Sequence, residues 1–329
     1  MDAAPAGRSG RRRRILLIAS AGPFLGILAA AFAAWWWPGE LCSHWTLHGA
    51  FALLPAAIVW RRHRLLGPLA MAAIAFGGLP WFVAAWEERA PALRPEQRRL
   101  RVLQANILYE NPQRVASLPM LAEGRFDLLS LIEVNPEDRA ALAADPRWPH
   151  QAWHLPPRRR PGDLISGVAL LSAHPLAWWT LHEVDTEGII EAEVILDGGR
   201  LRVLVGHPKS PMTPKRLGSR QRQLARIADL AAAAPGPVIA MGDFNCSVGS
   251  PAWRGFRAAS GLRRAAQPSP ATWPSFAGPL GIGIDHVLVG GGAALGEVEA
   301  PRIPGSDHRA LVGTVGLPTG DAAQGTLGR

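Results

Sequence analysis

The chain has 329 residues, of which 48% are hydrophobic, and it carries 35 Lys and Arg against 26 Asp and Glu, for a formal net charge of +9. This hydrophobic content excludes an intrinsically disordered protein, and two cysteines, Cys42 and Cys246, are too few for a disulfide framework or a four-cysteine zinc site. Residues 1–99 hold 12 basic and 5 acidic side chains while residues 100–329 hold 23 and 21, so the larger part is nearly neutral and a protein that coats nucleic acid is not favoured.

The first third of the chain contains three long stretches without a charged residue, at 15–37, 41–60 and 65–86. A helix that crosses the hydrocarbon core of a bilayer needs about 20 such residues. Seven of the 13 tryptophans lie in this third, mostly near the ends of the stretches, where interfacial aromatic residues are found. We therefore predict a membrane segment over residues 1–86 with three transmembrane helices and a lipid bilayer as its partner.

The second stretch is the weakest of the three because it contains His44 and His48. The first stretch has an alternative interpretation as a cleaved signal peptide, since a run of arginines precedes it and Ala31–Ala33 resembles a cleavage site. Its apolar run is longer than the roughly 7–15 residues of a signal peptide, which favours a membrane span.

The positions of the arginines predict the orientation of the membrane segment. Basic residues cluster at 8–14, before the first stretch, and at 61–64, between the second and third, which places both regions in the cytoplasm. Three spans then bring the rest of the chain to the periplasmic or extracellular side of an inner or cell membrane. The five arginines between 89 and 101 oppose this placement.

Residues 87–99 are predicted to form a polar linker with Pro91 and Pro95, residues 100–317 a folded domain, and residues 318–329 a flexible tail. Within the domain, short apolar runs alternate with helical patterns, which predicts an α/β (α+β) fold of sheets covered by helices. Strands are predicted at 100–107, 127–134, 167–172, 188–196, 201–206, 237–244, 284–289 and 309–315. Helices are predicted at 112–123, 136–144 and 214–234.

Polar residues stand where these apolar strands begin or end. They are Asn106, Glu133, His207, Asp243, Asn245, Asp285, Asp307 and His308. A buried charge must be paired or bound to a metal, so several acids at strand ends indicate a cation or a cationic partner. Asp243 and Asn245 are two residues apart and would face the same side if both lay in a strand.

The sequences QANI, SLIEV, GHP, GDFN, IDHVLV and SDH contain these residues, at 104–107, 130–134, 206–208, 242–245, 284–289 and 306–308. In this order they resemble the endonuclease/exonuclease/phosphatase superfamily, over about residues 100 to 317. Each sequence alone is a weak signal, but all six in the right order make a strong one.

The resemblance implies a four-layer sandwich of two mixed β-sheets flanked by helices, and hydrolysis of phosphate esters with Mg²⁺ or Mn²⁺. Glu133 would be the main metal ligand, with Asn106 and Asp307 completing the metal environment. Asp243 and Asn245 would orient or activate the attacking water and bind the phosphate. His308, held in one tautomer by Asp285, would contact the phosphate and transfer protons, and His207 would stabilise charge as the second imidazole.

Simpler interpretations exist for single residues. Glu133 alone would be a solvated or salt-bridged acid, Asn106 a turn cap, and His207 a loop residue. Cys246 is interpreted as a small filler because the sequence indicates no base for it, and His286 is expected to point away from the site. Which acid or histidine accepts the proton remains open.

The sequence therefore predicts a membrane-anchored phosphoesterase that depends on a divalent metal and acts outside the cytoplasm. Its substrate would be a phosphodiester or phosphomonoester in nucleic acid, a phospholipid or a small molecule, and no protein partner is indicated. A basic loop at Arg158–Arg160 is more typical of a solvated turn than of a phosphate site. The alternative is a catalytically silent domain that binds a phosphorylated ligand and signals through the membrane segment.

Overall fold

The computed structural model describes residues 6–114, 124–157, 166–265 and 267–318. Most of the helix predicted at 112–123, the loop Arg158–Arg160 and nearly all of the predicted tail lie outside these residues. Four helices form the N-terminal part, namely α1 Ala6–Ala30, α2 Trp37–Ser43, α3 Thr46–Trp60 and α4 Leu66–Glu87.

Two of these helices, at 11–30 and 66–87, are long and apolar enough to cross a membrane. The second predicted span is not one helix, because α2 and α3 meet at a bend of 69°. With 15 residues, α3 is about 22 Å long, shorter than a hydrocarbon core of about 30 Å. The described part of the chain thus contains two candidate spans, or three if the bent pair counts as one.

The apolar helices pack through small residues. Ile27 of α1 contacts Gly49 of α3 and Gly77 of α4, where a Cβ atom would lie 3.1 and 3.2 Å from the Ile27 side chain. Close approach at small residues is typical of helices that associate within a membrane. Large apolar side chains on the outer faces, such as Ile18 and Phe82, remain exposed, which suits a lipid environment.

Two mixed sheets form the rest of the described fold. The first sheet has the strand order β10-β11-β1-β2-β4-β3 and the second has the order β5-β6-β7-β8-β9. The strands of the first sheet are β1 Arg98–Asn106, β2 Leu128–Val134, β3 His150–His154, β4 Gly167–Ser172, β10 Ala294–Glu299 and β11 Leu311–Leu317. Those of the second are β5 Leu176–Val184, β6 Glu187–Leu196, β7 Gly199–Gly206, β8 Val238–Asp243 and β9 Asp285–Gly290.

Helices cover the outer faces of both sheets. They are α5 Pro136–Ala143, α6 Pro214–Ala232 and α7 Pro251–Ser260, and a 3₁₀ helix spans Ser275–Leu280. One apolar cluster, including Val102 and Ile239, fills the space between the sheets. A second lies between the second sheet and α6 and α7, and a third packs Leu142 of α5 on the first sheet. The predicted four-layer sandwich of two mixed sheets is confirmed.

The burial of apolar strand residues stabilises this arrangement. Val102 and Ile239 are fully buried, and each such side chain contributes roughly 1.5–3 kcal/mol relative to exposure. The helix α6 is capped by Thr213, whose hydroxyl accepts a hydrogen bond from the Arg216 amide at 3.2 Å. Its buried stripe includes Leu224 and Ile227, as the helical period of the sequence predicts.

The residues between α4 and β1, predicted as a linker, begin in contact with the second sheet's outer layer. The Glu88 carboxylate accepts a hydrogen bond from Trp253 Nε1 at 3.0 Å and pairs with Arg264 at 3.3 Å. The backbone amide of Ala90 donates to the Arg264 carbonyl at 2.7 Å. Ala84, near the end of α4, belongs to the same apolar cluster as Trp253. The N-terminal helices therefore share a core with the sandwich.

Candidate active site

Each sheet contains one parallel pair of strands, and the carboxyl ends of these two pairs meet. In the first sheet β1 and β2 are parallel and end at Asn106 and Val134. In the second sheet β7 and β8 are parallel and end beside His207 and at Asp243. A cleft of about 1090 Å³ opens at this edge. Six of the eight predicted residues line it, namely Glu133, His207, Asp243, Asn245, Asp307 and His308.

The two remaining predicted residues, Asn106 and Asp285, are buried directly beneath the cleft. Asn106 Nδ2 donates to Glu133 Oε1 at 3.0 Å and to Asp243 Oδ2 at 3.1 Å. Its Oδ1 accepts from the Leu108 amide at 3.0 Å. In this arrangement Asn106 holds two carboxylates in place, and its oxygen becomes a metal ligand only if the amide group turns over.

Glu133 stands in an unusual backbone conformation. Its φ is 65°, the left-handed region that side chains other than glycine rarely occupy, and it interrupts the register between β2 and β4. Its second oxygen, Oε2, accepts from the Tyr109 amide at 2.9 Å. Strained conformations of this kind persist where the surroundings hold them, and they cluster at functional sites.

Asp307 offers an open acceptor at the cleft. Its Oδ2 accepts from Trp273 Nε1 at 2.9 Å. Its Oδ1 is buried, and no hydrogen-bond donor in the described parts of the chain reaches it. A buried carboxylate oxygen without a donor is costly unless a cation or water satisfies it. The oxygen donors of Glu133 and Asp307 thus fit a hard divalent cation.

His308 and Asp285 form a buried pair that joins the two sheets. His308 Nδ1 lies 2.8 Å from Asp285 Oδ2, and Gln104 of β1 donates to the other Asp285 oxygen at 3.0 Å. This bond leaves His308 Nε2 facing Asp243 Oδ2 at 3.7 Å and Asp307 Oδ1 at 3.9 Å. The carboxylate therefore selects one imidazole orientation.

These contacts also set the charges of the pair. Burial opposes protonation of His308, but Asp285 and Asp243 outweigh it and raise its pKa to about 10. Burial likewise opposes ionisation of Asp285, yet the His308 charge holds the pKa of Asp285 below its ordinary value. At neutral pH the pair is an imidazolium next to a carboxylate.

Asp243 ends β8, and the chain turns directly after it. The Asn245 backbone, at φ 49°, donates its amide to Asp243 Oδ1 at 2.9 Å. The Asn245 side chain donates to the Pro208 carbonyl at 3.0 Å. The spacing of Asp243 and Asn245 predicts a shared strand face, but they do not share one, because β8 ends at Asp243. A tight turn still brings both residues to the cleft. Burial, followed by repulsion from Asp285, raises the pKa of Asp243 to about 6.

His207 reaches the same carboxylates from β7. Its Nε2 lies 3.6 Å from Asp243 Oδ2 and 3.9 Å from Glu133 Oε1. The neighbouring strands come together because Gly242 has no side chain: a Cβ there would lie 1.9 Å from the Gly206 carbonyl oxygen. The structure thus brings all eight predicted residues to one place.

The sequence patterns did not identify two residues of this site, Gln104 and Trp273. Gln104 precedes Asn106 by two positions and so shares its strand face, a signal that was available. No sequence signal points to Trp273, whose indole donates a hydrogen bond to Asp307. Asp243, Asp285 and His308 also have ligand atoms within 4.8 Å of one another, a spacing that can hold a metal. However, Asp285 is already saturated by His308 and Gln104.

Residues 90–308 match the model of the Endonuclease/Exonuclease/phosphatase family. The chain belongs to this family, whose members hydrolyse phosphoester bonds and generally use divalent metals. No curated protein matches the chain.

Solved structures of low sequence identity share the fold. An endonuclease/exonuclease/phosphatase from Beutenbergia cavernae is 18% identical, with a TM-score of 0.56 over 67% of this chain and 72% of that one. The catalytic domain of human Nocturnin with bound sulfate is 20% identical, with a TM-score of 0.54 over 71% and 99%. Sphingomyelinase C from Streptomyces griseocarneus is 18% identical, with a TM-score of 0.52 over 67% and 100%.

Proposed function

We propose that the protein is a membrane-anchored phosphoesterase that depends on a divalent metal and hydrolyses a phosphodiester or phosphomonoester by direct attack of water. The observation that carries this proposal is that Asp243 Oδ2 lies 3.7 Å from Nε2 of the imidazolium His308 and shares the Asn106 amide group with Glu133. In the same cleft, the buried Asp307 Oδ1 has no donor among the described residues. Phosphoryl transfer requires positioning and neutralisation of charge more than covalent chemistry. The cleft offers both.

Glu133 would be the main ligand of Mg²⁺ or Mn²⁺, with Asp307 Oδ1 as the second carboxylate oxygen and Asn106 completing the set after its amide turns over. Mg²⁺ is commonly held by one or two carboxylates together with substrate phosphate and water. The bound metal would neutralise charge on the phosphate and acidify water.

Asp243 is the best candidate to accept the proton of the attacking water. Its pKa of about 6 leaves it mostly ionised at neutral pH, yet basic enough to take up a proton. His308 is charged at that pH, so it would bind the phosphate oxygens through Nε2 rather than act as a base. His207, which faces Asp243 and Glu133, would stabilise the charge that develops on the phosphate or on the leaving oxygen.

The walls of the cleft favour an ester with an apolar portion. Leu41 and Trp45, between the candidate membrane helices, line the cleft together with Met212 and the catalytic residues. Trp45 is 38% and Met212 50% exposed, so apolar surface continues from the site to the helices. We therefore favour a phosphate ester drawn from the bilayer over nucleic acid.

The catalytic part would lie on the periplasmic or extracellular side. Glu40 and His44 contact it from α2 and the following turn, whereas the arginines at 61–64 follow the far end of α3. A reporter fused after residue 318 tests this orientation. Activity of a reporter that works only outside the cytoplasm is expected, and activity of a cytoplasmic reporter would overturn it. A fusion inside β11 is unsuitable because this strand pairs with β1.

The decisive experiment is a panel of DNA, RNA, nucleotides and phospholipid vesicles incubated with the full chain in detergent, with Mg²⁺, with Mn²⁺ and with chelator. Hydrolysis of one class is expected, lost with chelator and in Asp243→Ala and His308→Ala. If the folded protein hydrolyses none of them but binds a phosphorylated member of the panel, the silent binding domain is the better description.

A further inference from the structure

A buried ion pair connects α2 to α6, next to the loop that follows β8. Glu40 is 1% exposed and Arg220 of α6 is completely buried, and the Arg220 Nη2 group pairs with Glu40 Oε1. The two residues are 180 positions apart. A charge pair removed from water is stable only when further hydrogen bonds satisfy both partners, so the other contacts of the pair matter.

The second terminal nitrogen of Arg220 contacts residues 244–250, which we call the catalytic loop. Its Nη1 donates to the backbone carbonyl of Asn245 at 2.7 Å. Asn245 is in the left-handed conformation, and its own amide donates to Asp243 Oδ1 at 2.9 Å. The Arg220 guanidinium thus fixes Asn245, which is in an unfavourable backbone conformation. Asn245 in turn holds Asp243, the proposed proton acceptor.

The same loop is held from α2 and from His44, which directly follows it, at three more points. Ser250 donates its hydroxyl hydrogen to Glu40 Oε1, and His44 Nδ1 lies 2.8 Å from Ser247 Oγ. A Cβ on Gly249 would lie 2.4 Å from the Ser43 carbonyl oxygen. Residues 244–250 therefore follow a path that fits the surface of the N-terminal helices.

We propose that Glu40 is a positioning residue of the active site, which through Arg220 fixes the backbone of Asn245 and thereby the orientation of Asp243. The N-terminal helices would thus complete the catalytic centre in addition to anchoring it. This inference rests on the proposed function for its kinetic consequences. Without Glu40, Arg220 is a buried cation without its counter-charge, and it must leave its place or admit water. Either change releases the Asn245 carbonyl.

The test uses the full chain in detergent micelles with bis(p-nitrophenyl) phosphate and Mg²⁺, and compares Glu40→Gln with Glu88→Gln. Glu88 is the matched control because it is also a buried carboxylate at this junction, but its partners Trp253 and Arg264 do not line the cleft. Glu40→Gln is expected to lower kcat about tenfold or more, because small misplacement of a catalytic group is costly, with KM within about twofold. Glu88→Gln should lower Tm comparably and leave kcat unchanged.

Hydrogen exchange of the backbone amides supplies a measurement that does not need activity. Faster exchange in residues 244–250 is expected in Glu40→Gln but not in Glu88→Gln. Equal exchange and equal kcat in the two variants would overturn the inference. A wild-type protein that is inactive on every substrate refutes the proposed function instead, and the exchange result still decides the role of Glu40.

The double variant Glu40→Gln/Arg220→Gln covers the case in which Glu40→Gln does not fold. Replacement of both members of a buried ion pair by neutral residues is better tolerated than removal of one. We expect this variant to fold with a kcat at least tenfold below that of the wild type, about the loss that misplacement of a catalytic group causes. A wild-type kcat in the folded double variant would refute the positioning role.

Discussion

The two parallel strand pairs that meet at the cleft differ in what holds their ends. Asn106 and Glu133, at the ends of β1 and β2, are held by neighbours such as Leu108 and Tyr109, which belong to the first half of the site. The turn after β8 that contains Asn245 is held by Arg220 of α6, which is itself paired with Glu40 outside the sandwich. One half of the site is therefore self-contained, while the other half is built jointly with the N-terminal helices.

The two halves of the site also contribute different kinds of carboxylate. The first sheet and its adjoining loop bring Glu133 and Asp307, whose oxygens suit a metal, whereas the second brings Asp243, whose pKa lies near 6. The pair His308–Asp285 connects the halves, because His308 precedes β11 of the first sheet and Asp285 begins β9 of the second. Under the proposed function, this difference would divide the site into a metal side and a water side.

Removal of the N-terminal helices should have the largest effect. A chain that begins at residue 95 loses Glu40, leaving Arg220 unpaired, and loses Glu88, which bonds Trp253. Loss of one partner of a buried ion pair alone costs about 3–5 kcal/mol, comparable with the whole stability of many domains. We expect this fragment to be unfolded by circular dichroism and inactive.

A chain that begins at residue 35 is the control for this truncation, because it keeps α2, α3 and α4. It should fold in detergent and retain hydrolysis. If the fragment from residue 95 is folded and as active as the full chain, the second half of the site is as self-contained as the first.

Substitutions in each half should separate the metal side from the water side. Glu133→Gln and Asp243→Asn are each expected to lower kcat by about 10³-fold, the scale seen when a group that stabilises a transition state is lost. Raising the Mg²⁺ concentration should restore part of the activity of Glu133→Gln, because that variant binds metal weakly, but none in Asp243→Asn. Metal titrations of the initial rate check this, and identical responses would remove the distinction.

The pH dependence of the free energy of unfolding should report on His286, on the outer face of the second sheet, rather than on the candidate site. His286 points away from the cleft, stacks on Trp253 at 4.3 Å and lies 2.7 Å from the Cys246 carbonyl. Burial lowers its pKa to about 4. His286 takes up a proton near pH 6.5 in the unfolded chain but only at about pH 4 in the native state. The stability that neutral His286 contributes is therefore present above pH 6.5 and is lost as the pH falls towards 4.

The loss between these values is about 3 kcal/mol. In His286→Gln, which keeps a donor for the carbonyl, Tm should be lower than in the wild type at pH 7, and this difference should shrink towards pH 4.5. Comparison with the variant isolates His286 from the opposite effect of Asp243, whose raised pKa favours folding as pH falls below 6. A constant difference across the range would contradict the assignment.

The smallest effect is expected at Cys246, which follows the catalytic turn but is fully buried. Burial raises the pKa of its thiol to about 11, so little thiolate is present at neutral pH. In a Cys42→Ser background, iodoacetamide at pH 8 should label the unfolded chain and leave the native protein unlabelled and active. Rapid native labelling with loss of activity would instead support a nucleophilic thiol.

Much of the fold was predictable because buried strands are local apolar runs. The central strands β1, β2, β7 and β8 were found in this way, and the polar residues at their ends were found with them. The strand β5 was missed because it is an edge strand with Trp178 and Trp179 exposed, so its sequence lacks the alternation of a half-buried strand. The short β3 and the bulged β10 were missed for similar reasons.

The sequence by itself determined which polar residues stand at the strand ends of the candidate site and the order in which the strands present them, because apolar periodicity and motif order are properties of the linear chain. Only the tertiary structure decided that Asn106 presents its nitrogen to two carboxylates, and that Glu40 faces Arg220. It also bent the chain by 69° between α2 and α3, and Glu40 and His44, on the α2 side of this bend, contact Arg220 and Ser247. These features depend on partners far away in sequence, and no local pattern encodes a contact between residues 180 positions apart.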